Sequence, residues 1–186
     1  TGEISDKYNT LFTPAGFTFS IWGIIYLLVF AFVLIFAIGS PVLSSTTELL
    51  GILFIVSCIL NISWLFCWHY DKILLSSLVM ILFLITLLSI LEFAEPVGIA
   101  YITFSVYSGW ISVALIANLS ITLFKYKVPI FMNHQKGWLY AILAVSLIIG
   151  SYMVLFEKNY YYGAVFLWAY YGIVMKHRNA KDTREN

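Results

Sequence analysis

The sequence predicts an all-α fold, a polytopic bundle of about six transmembrane helices, and three observations carry that prediction. Hydrophobic residues make up 62% of the 186-residue chain and charged residues only 10%, against about 25% charge in a soluble domain. The apolar residues gather into six runs, each bounded by charges or turn residues. Within the runs hydrophobicity is continuous and does not alternate with a period of two, so a membrane barrel does not fit and helices remain as the way to satisfy the backbone in hydrocarbon.

The first sixteen residues are polar and end in Thr13-Pro14-Ala15-Gly16, which lacks the form of a cleavable signal and reads as a loop. The first run, about Phe17 to Ile38, is closed by Gly39-Ser40-Pro41. The second goes from about Glu48 to Tyr70 and stops at Asp71-Lys72; the third, from Ile73 to about Leu91, is ended by Glu92, Glu95 and Pro96, which mark a loop. The fourth extends from Val97 to Phe124, before Lys125, Lys127 and Pro129, and the fifth from Trp138 to Phe156, before Glu157-Lys158-Asn159. The sixth, Tyr160 to Met175, has sixteen residues and falls just under spanning length, so a tucked-in or interfacial helix is its alternative. Residues 176–186 form a mixed-charge tail, an orientation anchor. Lys7, Lys72, Lys125, Lys127, Lys136, Lys176, Arg178, Lys181 and Arg184 fall on one side of this arrangement and Lys158 alone on the other. By the positive-inside rule the chain is a multi-pass protein of the cell membrane, plasma or inner, with the N-terminal loop of residues 1–16 and the C-terminus cytoplasmic.

The lipid bilayer is therefore the first partner, and a net charge of +1 gives no sign of nucleic acid. No Lys, Arg, Asp or Glu sits deep in an apolar run, whereas pumps and voltage sensors work by moving such charges. His69, His134 and His177 lie at run ends or in loops, and no zinc spacing, phosphate loop or nucleophile elbow occurs. Neither a metal site nor a catalytic residue is assigned, and no cofactor is required. Cys58 and Cys67 share one run nine residues apart, about 13 Å of helical rise and too far for a disulfide; they read as buried thiols.

Aromatic and amide residues are the distinctive content. Trp22 and Tyr26 share a face at i,i+4; Asn61, Trp64 and Trp68 form a stripe, and Tyr107, Trp110, Ala114 and Asn118 another. Most fall in the cytoplasmic half of the bilayer. At such depth Asn61 and Asn118 must face protein. Trp68, Trp138 and Tyr126, near boundaries, read as an interfacial belt. Trp22, Trp64 and Trp110 fit a shared pocket and plain packing equally well. The fourth run presents Ser105, Ser108, Gly109, Ser112, Ala114 and Ala117, small residues that let helices approach closely. A cavity walled by π faces and a few amides suits a flat, mostly apolar ligand.

At these residues the chain resembles the TspO/translocator-protein family of tryptophan-rich sensory proteins. The family's W-x-P-P-x-W-V-F and W-x-x-x-Y correspond here to Phe12-Thr13-Pro14-Ala15-Gly16-Phe17-Thr18-Phe19 and to Trp22 with Tyr26. Its L-N-x-x-W is matched by Leu60-Asn61-Ile62-Ser63-Trp64, and its Y-x-x-W with an Asn eight residues on by Tyr107, Trp110 and Asn118. The motifs cover about residues 8 to 124, a four-helix core over 17–124 followed by two additional helices over 125–175. Phe12 and Phe17 stand where the family has loop tryptophans, and Ala15 where it has a second proline. The family's first helix would precede Asp6, which gives the expectation of a further helix upstream.

The resemblance implies a pocket between helices, capped by the proline-containing loop, that in the family takes porphyrins, sterols and synthetic apolar drugs. Carried over by position, its ligand-binding residues are Phe12, Pro14, Phe17, Trp22, Tyr26, Asn61, Trp64, Tyr107, Trp110 and Asn118. The expected function is a membrane receptor or sensor for a flat apolar small molecule, porphyrin- or sterol-like, with a homodimer as a family expectation. A carrier of a lipophilic molecule and a membrane enzyme acting on a tetrapyrrole or other pigment are the alternatives, and a structural subunit a third.

Overall fold

The computed structural model describes residues 8, 12–39, 45–94 and 98–185. A 3-10 helix, Gly16–Ser20, leads into seven α-helices: α1 Ile21–Gly39, α2 Ser45–His69, α3 Ile73–Phe93, α4 Ile99–Lys125, α5 Pro129–Asn133, α6 Gln135–Leu155 and α7 Tyr160–Glu185. No strand occurs among the described residues. Among the described residues, five stretches are long and apolar enough to cross a membrane: Gly16–Ile38, Glu48–His69, Ile73–Phe93, Ile99–Lys125 and Gln135–Leu155. Expectation and structure thus agree on an all-α bundle and differ at its edges. The sixth run is not among the five, because only its first sixteen residues are apolar, about 24 Å of helix against about 30 Å of hydrocarbon. Its helix continues through the charged tail and still runs back to the side of the N-terminal segment, from Asn159 at Ser105 to Trp168 and Gly172 at Thr18 and Ala15. Of the capping loop, Tyr8 and residues 12–16 are described; the Ser40-Pro41 turn and the Glu95-Pro96 loop lie outside the described residues.

Helix α4 is the hub. It packs on α1, α3 and α7, while α2 lies against α3 and α6 against α7. Its position shows in its burial: Thr103 to Val113 form an almost unbroken buried stretch, where an outer helix buries one stripe. On α3 that stripe is Ile73, Ser76, Ser77, Met80, Phe83, Leu87 and Ile90, stepping by three and four; on α7 it is Tyr162, Val165, Phe166, Ala169 and Ile173.

Tight turns set neighbouring helices antiparallel. Asp71 and Lys127 hold left-handed backbone, with φ of 57° and 50°, and the amide after each reaches back five residues, Lys72 to the Cys67 carbonyl at 2.8 Å and Val128 to the Leu123 carbonyl at 3.1 Å. This is the Schellman stop, made here without glycine. Asn159 does the opposite job. Its Oδ1 accepts from the Tyr162 amide at 3.0 Å, capping the start of α7, and its Nδ2 donates to Ser105 Oγ at 2.8 Å.

Polar seams pin the hub to its neighbours. Asn118, buried on α4, donates from Nδ2 to Ser76 Oγ at 2.7 Å and Met80 Sδ at 3.1 Å, and accepts at Oδ1 from Ser77 Oγ at 3.0 Å. Both amide hydrogens and the oxygen are therefore engaged with α3. Replacing Asn118 with Leu removes three contacts that hydrocarbon cannot replace, each worth about 0.6 kcal/mol in a bilayer. We expect a loss of about 1–2 kcal/mol in SDS-induced unfolding, and an unchanged midpoint would show the seam to be dispensable.

The N-terminal segment is tied down at the same end. The Tyr8 hydroxyl donates to the Asp71 carboxylate at 3.0 Å, and Lys125 Nζ pairs with Asp71 Oδ1 at 2.9 Å. Trp68 packs there with Tyr8, Ile73 and Ile121 and is buried, which corrects its assignment to an interfacial belt: Tyr8 helps to cover it. The reading of both cysteines as buried thiols also changes, since Cys58 is exposed on the bundle surface and Cys67 partly so. A thiol is apolar enough to face lipid at little cost.

Candidate functional site

Helices α1, α2 and α4 bring one aromatic cluster together. Trp22 is at its centre. It stacks on Tyr26 (ring centroids 5.6 Å apart, planes 25° apart) and on Trp64 (6.0 Å, 22°), and meets Tyr107 and Trp110 edge-on at 5.9 and 6.4 Å. Three separate helical spacings, Trp22/Tyr26 on α1, Asn61/Trp64 on α2 and Tyr107/Trp110 on α4, thus converge on a single volume. Phe19 closes it from the 3-10 helix, edge-on to Trp110 at 5.8 Å.

The cluster is apolar in area but holds unspent polarity. Trp64 Nε1, Trp110 Nε1 and Asn61 Oδ1 are buried and have no hydrogen-bond partner. Buried polar atoms are normally paired, and each orphan costs about 1–3 kcal/mol. Two donors and one acceptor standing free around stacked rings are what a flat ligand with polar edge groups would satisfy. The free Asn61 Oδ1 and the two indole N–H groups thus give the cluster a polar side as well as π faces. Its residues offer stacking and hydrogen bonding; they include no carboxylate or imidazole to act as acid or base.

Not every expected site residue lies here. Trp22, Tyr26, Asn61, Trp64, Tyr107 and Trp110 do. Phe17 is on the far side of the 3-10 helix, its ring edge-on to Trp168 and Tyr171 at 5.7 and 5.8 Å. Pro14 is buried in the folded-back segment. Phe12, only 2% exposed, lines a separate small cavity with Ser120, Phe124, Phe131, Gln135 and Trp138. Asn118 is turned away toward α3, as described above.

The structure adds Phe19 and Trp168, which sequence reasoning passed over. Trp168 Nε1 donates to the Thr18 carbonyl at 2.9 Å, and the Ala15 amide to the Gly172 carbonyl at 3.1 Å. Gly172 is required there, because a Cβ would collide with Thr18 Oγ1. These bonds hold the proline-containing segment across the end of the cluster. The signal available in the sequence was that Trp168 is the single tryptophan of the last run.

Compared with known protein families, the chain matches the family described as TSPO-like protein over residues 1–184. The matched stretch takes in α6 and α7 as well as the helices that carry the motifs. Neither the curated proteins nor the solved structures contain a match to it.

Proposed function

The chain belongs to the TSPO-like family and is a multi-pass membrane protein, and from that premise we propose that it is a receptor or sensor for a flat, mostly apolar small molecule, porphyrin- or sterol-like, held between α1, α2 and α4. One observation carries the reading: the Trp22–Trp64–Tyr107–Trp110 cluster surrounds polar atoms that nothing in the protein satisfies. Trp22 and Trp64 supply the stacking faces, with Trp110 and Tyr107 as the floor. Asn61 Oδ1 and the Trp64 indole N–H orient the ligand's polar edge. The charge asymmetry of the loops supports placement in the cell membrane with the C-terminus in the cytoplasm.

The test is a titration of the purified protein with protoporphyrin, read by the ligand's own fluorescence so that tryptophan variants remain comparable. Saturable binding is expected, weakened about tenfold, or 1.4 kcal/mol, in both Trp64→Ala and Asn61→Ala. Linear uptake, identical in all three proteins, would mean partition into detergent and would remove the pocket. Transfer of the same ligand across proteoliposomes would make the cleft a carrier's pathway, and turnover of bound ligand would make it an enzyme's.

A further inference from the structure

We infer that the ligand of this site binds uncharged and carries a hydrogen-bond donor beside an acceptor along one edge, as a secondary amide or lactam does, with a second acceptor elsewhere on its rim. The inference rests on the receptor reading above and names the chemistry of the ligand's edge. Among the described residues five buried side-chain nitrogen or oxygen atoms have no hydrogen-bond partner, and three of the five, Asn61 Oδ1, Trp64 Nε1 and Trp110 Nε1, stand in the one aromatic cluster. Elsewhere in the same bundle buried polar groups are paired: Asn118 with Ser76 and Ser77, Asn159 with Ser105 and the Tyr162 amide, Ser112 with the Tyr162 hydroxyl. The three unpaired atoms are closed off from the surface, that of Asn61 included although the residue as a whole is only partly buried. A helix laid against the outside of the bundle therefore reaches none of them, whereas a molecule seated among the rings does.

The types of these atoms and their places on the helices set the edge they fit. Asn61 and Trp64 are three residues apart on α2, neighbours on one face, so an acceptor and a donor lie side by side there. Trp110 offers the second donor from α4, and Trp22 touches both indoles, stacked on Trp64 at 6.0 Å and edge-on to Trp110 at 6.4 Å. An N–H next to a carbonyl satisfies the α2 pair, and a further carbonyl satisfies the α4 indole. A carboxylate fails on two counts. It has no hydrogen to give Asn61 Oδ1, and it brings a charge that nothing nearby offsets. Among the described residues the 3-10 helix and α1 contain no Lys, Arg, His, Asp or Glu; α3 has only Glu92 near its end, and α2 only Glu48 near its start and an exposed His69 at its end. On α4 there is only Lys125, fifteen residues past Trp110 and paired with Asp71. A buried carboxylate without a counter-charge takes up a proton, and the neutral acid, with O–H beside C=O, then presents the same edge as the amide.

The experiment uses the full chain in micelles and three forms of one porphyrin, each referred to its own uptake by protein-free micelles: protoporphyrin, its bis(methylamide), which has N–H beside C=O, and its bis(dimethylamide), which has C=O alone. The bis(methylamide) should bind the wild type about tenfold more tightly than the bis(dimethylamide), the difference being one hydrogen bond to Asn61. In Asn61→Leu the two amides should bind alike. Protoporphyrin should bind about tenfold more weakly for each unit of rising pH above neutrality, because it must first take up a proton, and the bis(methylamide) should show no such dependence. The contrast between the two amides is read in the wild type, so a misfolded Asn61→Leu does not decide the matter. Equal affinity of the two amides for the wild type, or protoporphyrin binding that does not change with pH, would overturn the inference and leave the receptor standing. No saturable binding of any of the three would overturn both.

Discussion

Trp110→Ala is expected to unfold at markedly lower SDS concentration than the wild type and to lose saturable binding of protoporphyrin, the two effects arising from one ring. Trp110 is 1% exposed, the largest side chain buried so completely among the described residues, and on the hub helix it meets both Trp22 and Phe19 edge-on. Truncation removes the floor of the cluster and leaves a cavity that three helices would have to move to fill. In a soluble core the loss would be about 3–5 kcal/mol. Here the unfolded reference lies in lipid, which is as apolar as the core, so the transfer part falls away and the packing part remains, about 2–3 kcal/mol. Trp110→Phe keeps most of the volume and should recover most of the stability, yet it deletes the unpaired indole N–H. A ligand that uses that hydrogen will bind Trp110→Phe more weakly than wild type although the variant is well folded. Equal stability of Trp110→Ala and wild type would mean that the cluster is not packed as described.

What the sequence reveals about this site, and what it conceals, follows from the solvent. Helical spacing placed Trp22 with Tyr26 and Tyr107 with Trp110, because i,i+3 and i,i+4 neighbours share a face whatever surrounds the helix. It could not say which way each face points. In water the polar side of a helix marks the outside; here Leu27, Ile38 and Leu167 are exposed and as apolar as buried Leu87 and Ile90, so hydropathy carries no direction. The amides show the consequence. Asn61 and Asn118 read alike, each a polar group at depth in an aromatic stripe, yet Asn118 finds Ser76, Ser77 and Met80 while Asn61 Oδ1 finds nothing. The difference lies in the facing serines of α3, a non-local fact. Trp68 was misplaced for a related reason: what helps to cover it is Tyr8, sixty residues away in the chain.

Gly109→Val should damage the α4–α7 contact severely, and the geometry says why. A Cβ at Gly109 would stand 3.1 Å from the Tyr162 carbonyl oxygen and 3.2 Å from Val165 Cβ, so the obstacle is partly backbone and cannot rotate away. The close approach is flanked by two bonds. Ser105 Oγ, four residues before Gly109, accepts from Asn159 Nδ2 at 2.8 Å, and Ser112 Oγ, three residues after it, is 2.7 Å from the Tyr162 hydroxyl. A branched side chain wedged between them forces α4 and α7 apart and stretches both. Overpacking of this kind costs about 1–3 kcal/mol, and the two hydrogen bonds add about 0.6 kcal/mol each, so a loss near 3 kcal/mol is expected in SDS-induced unfolding. The damage should travel, because α7 carries Trp168 and Gly172, which hold the segment ending in Phe19 over the cluster. Ligand should then dissociate faster from Gly109→Val even though no residue of the site has changed. Gly51→Ala is the matched control: nothing lies within 4 Å of a Cβ there, and the better helix propensity of Ala should leave that variant as stable as wild type or slightly more so. If the two substitutions cost the same, the α4–α7 contact is not the close one described.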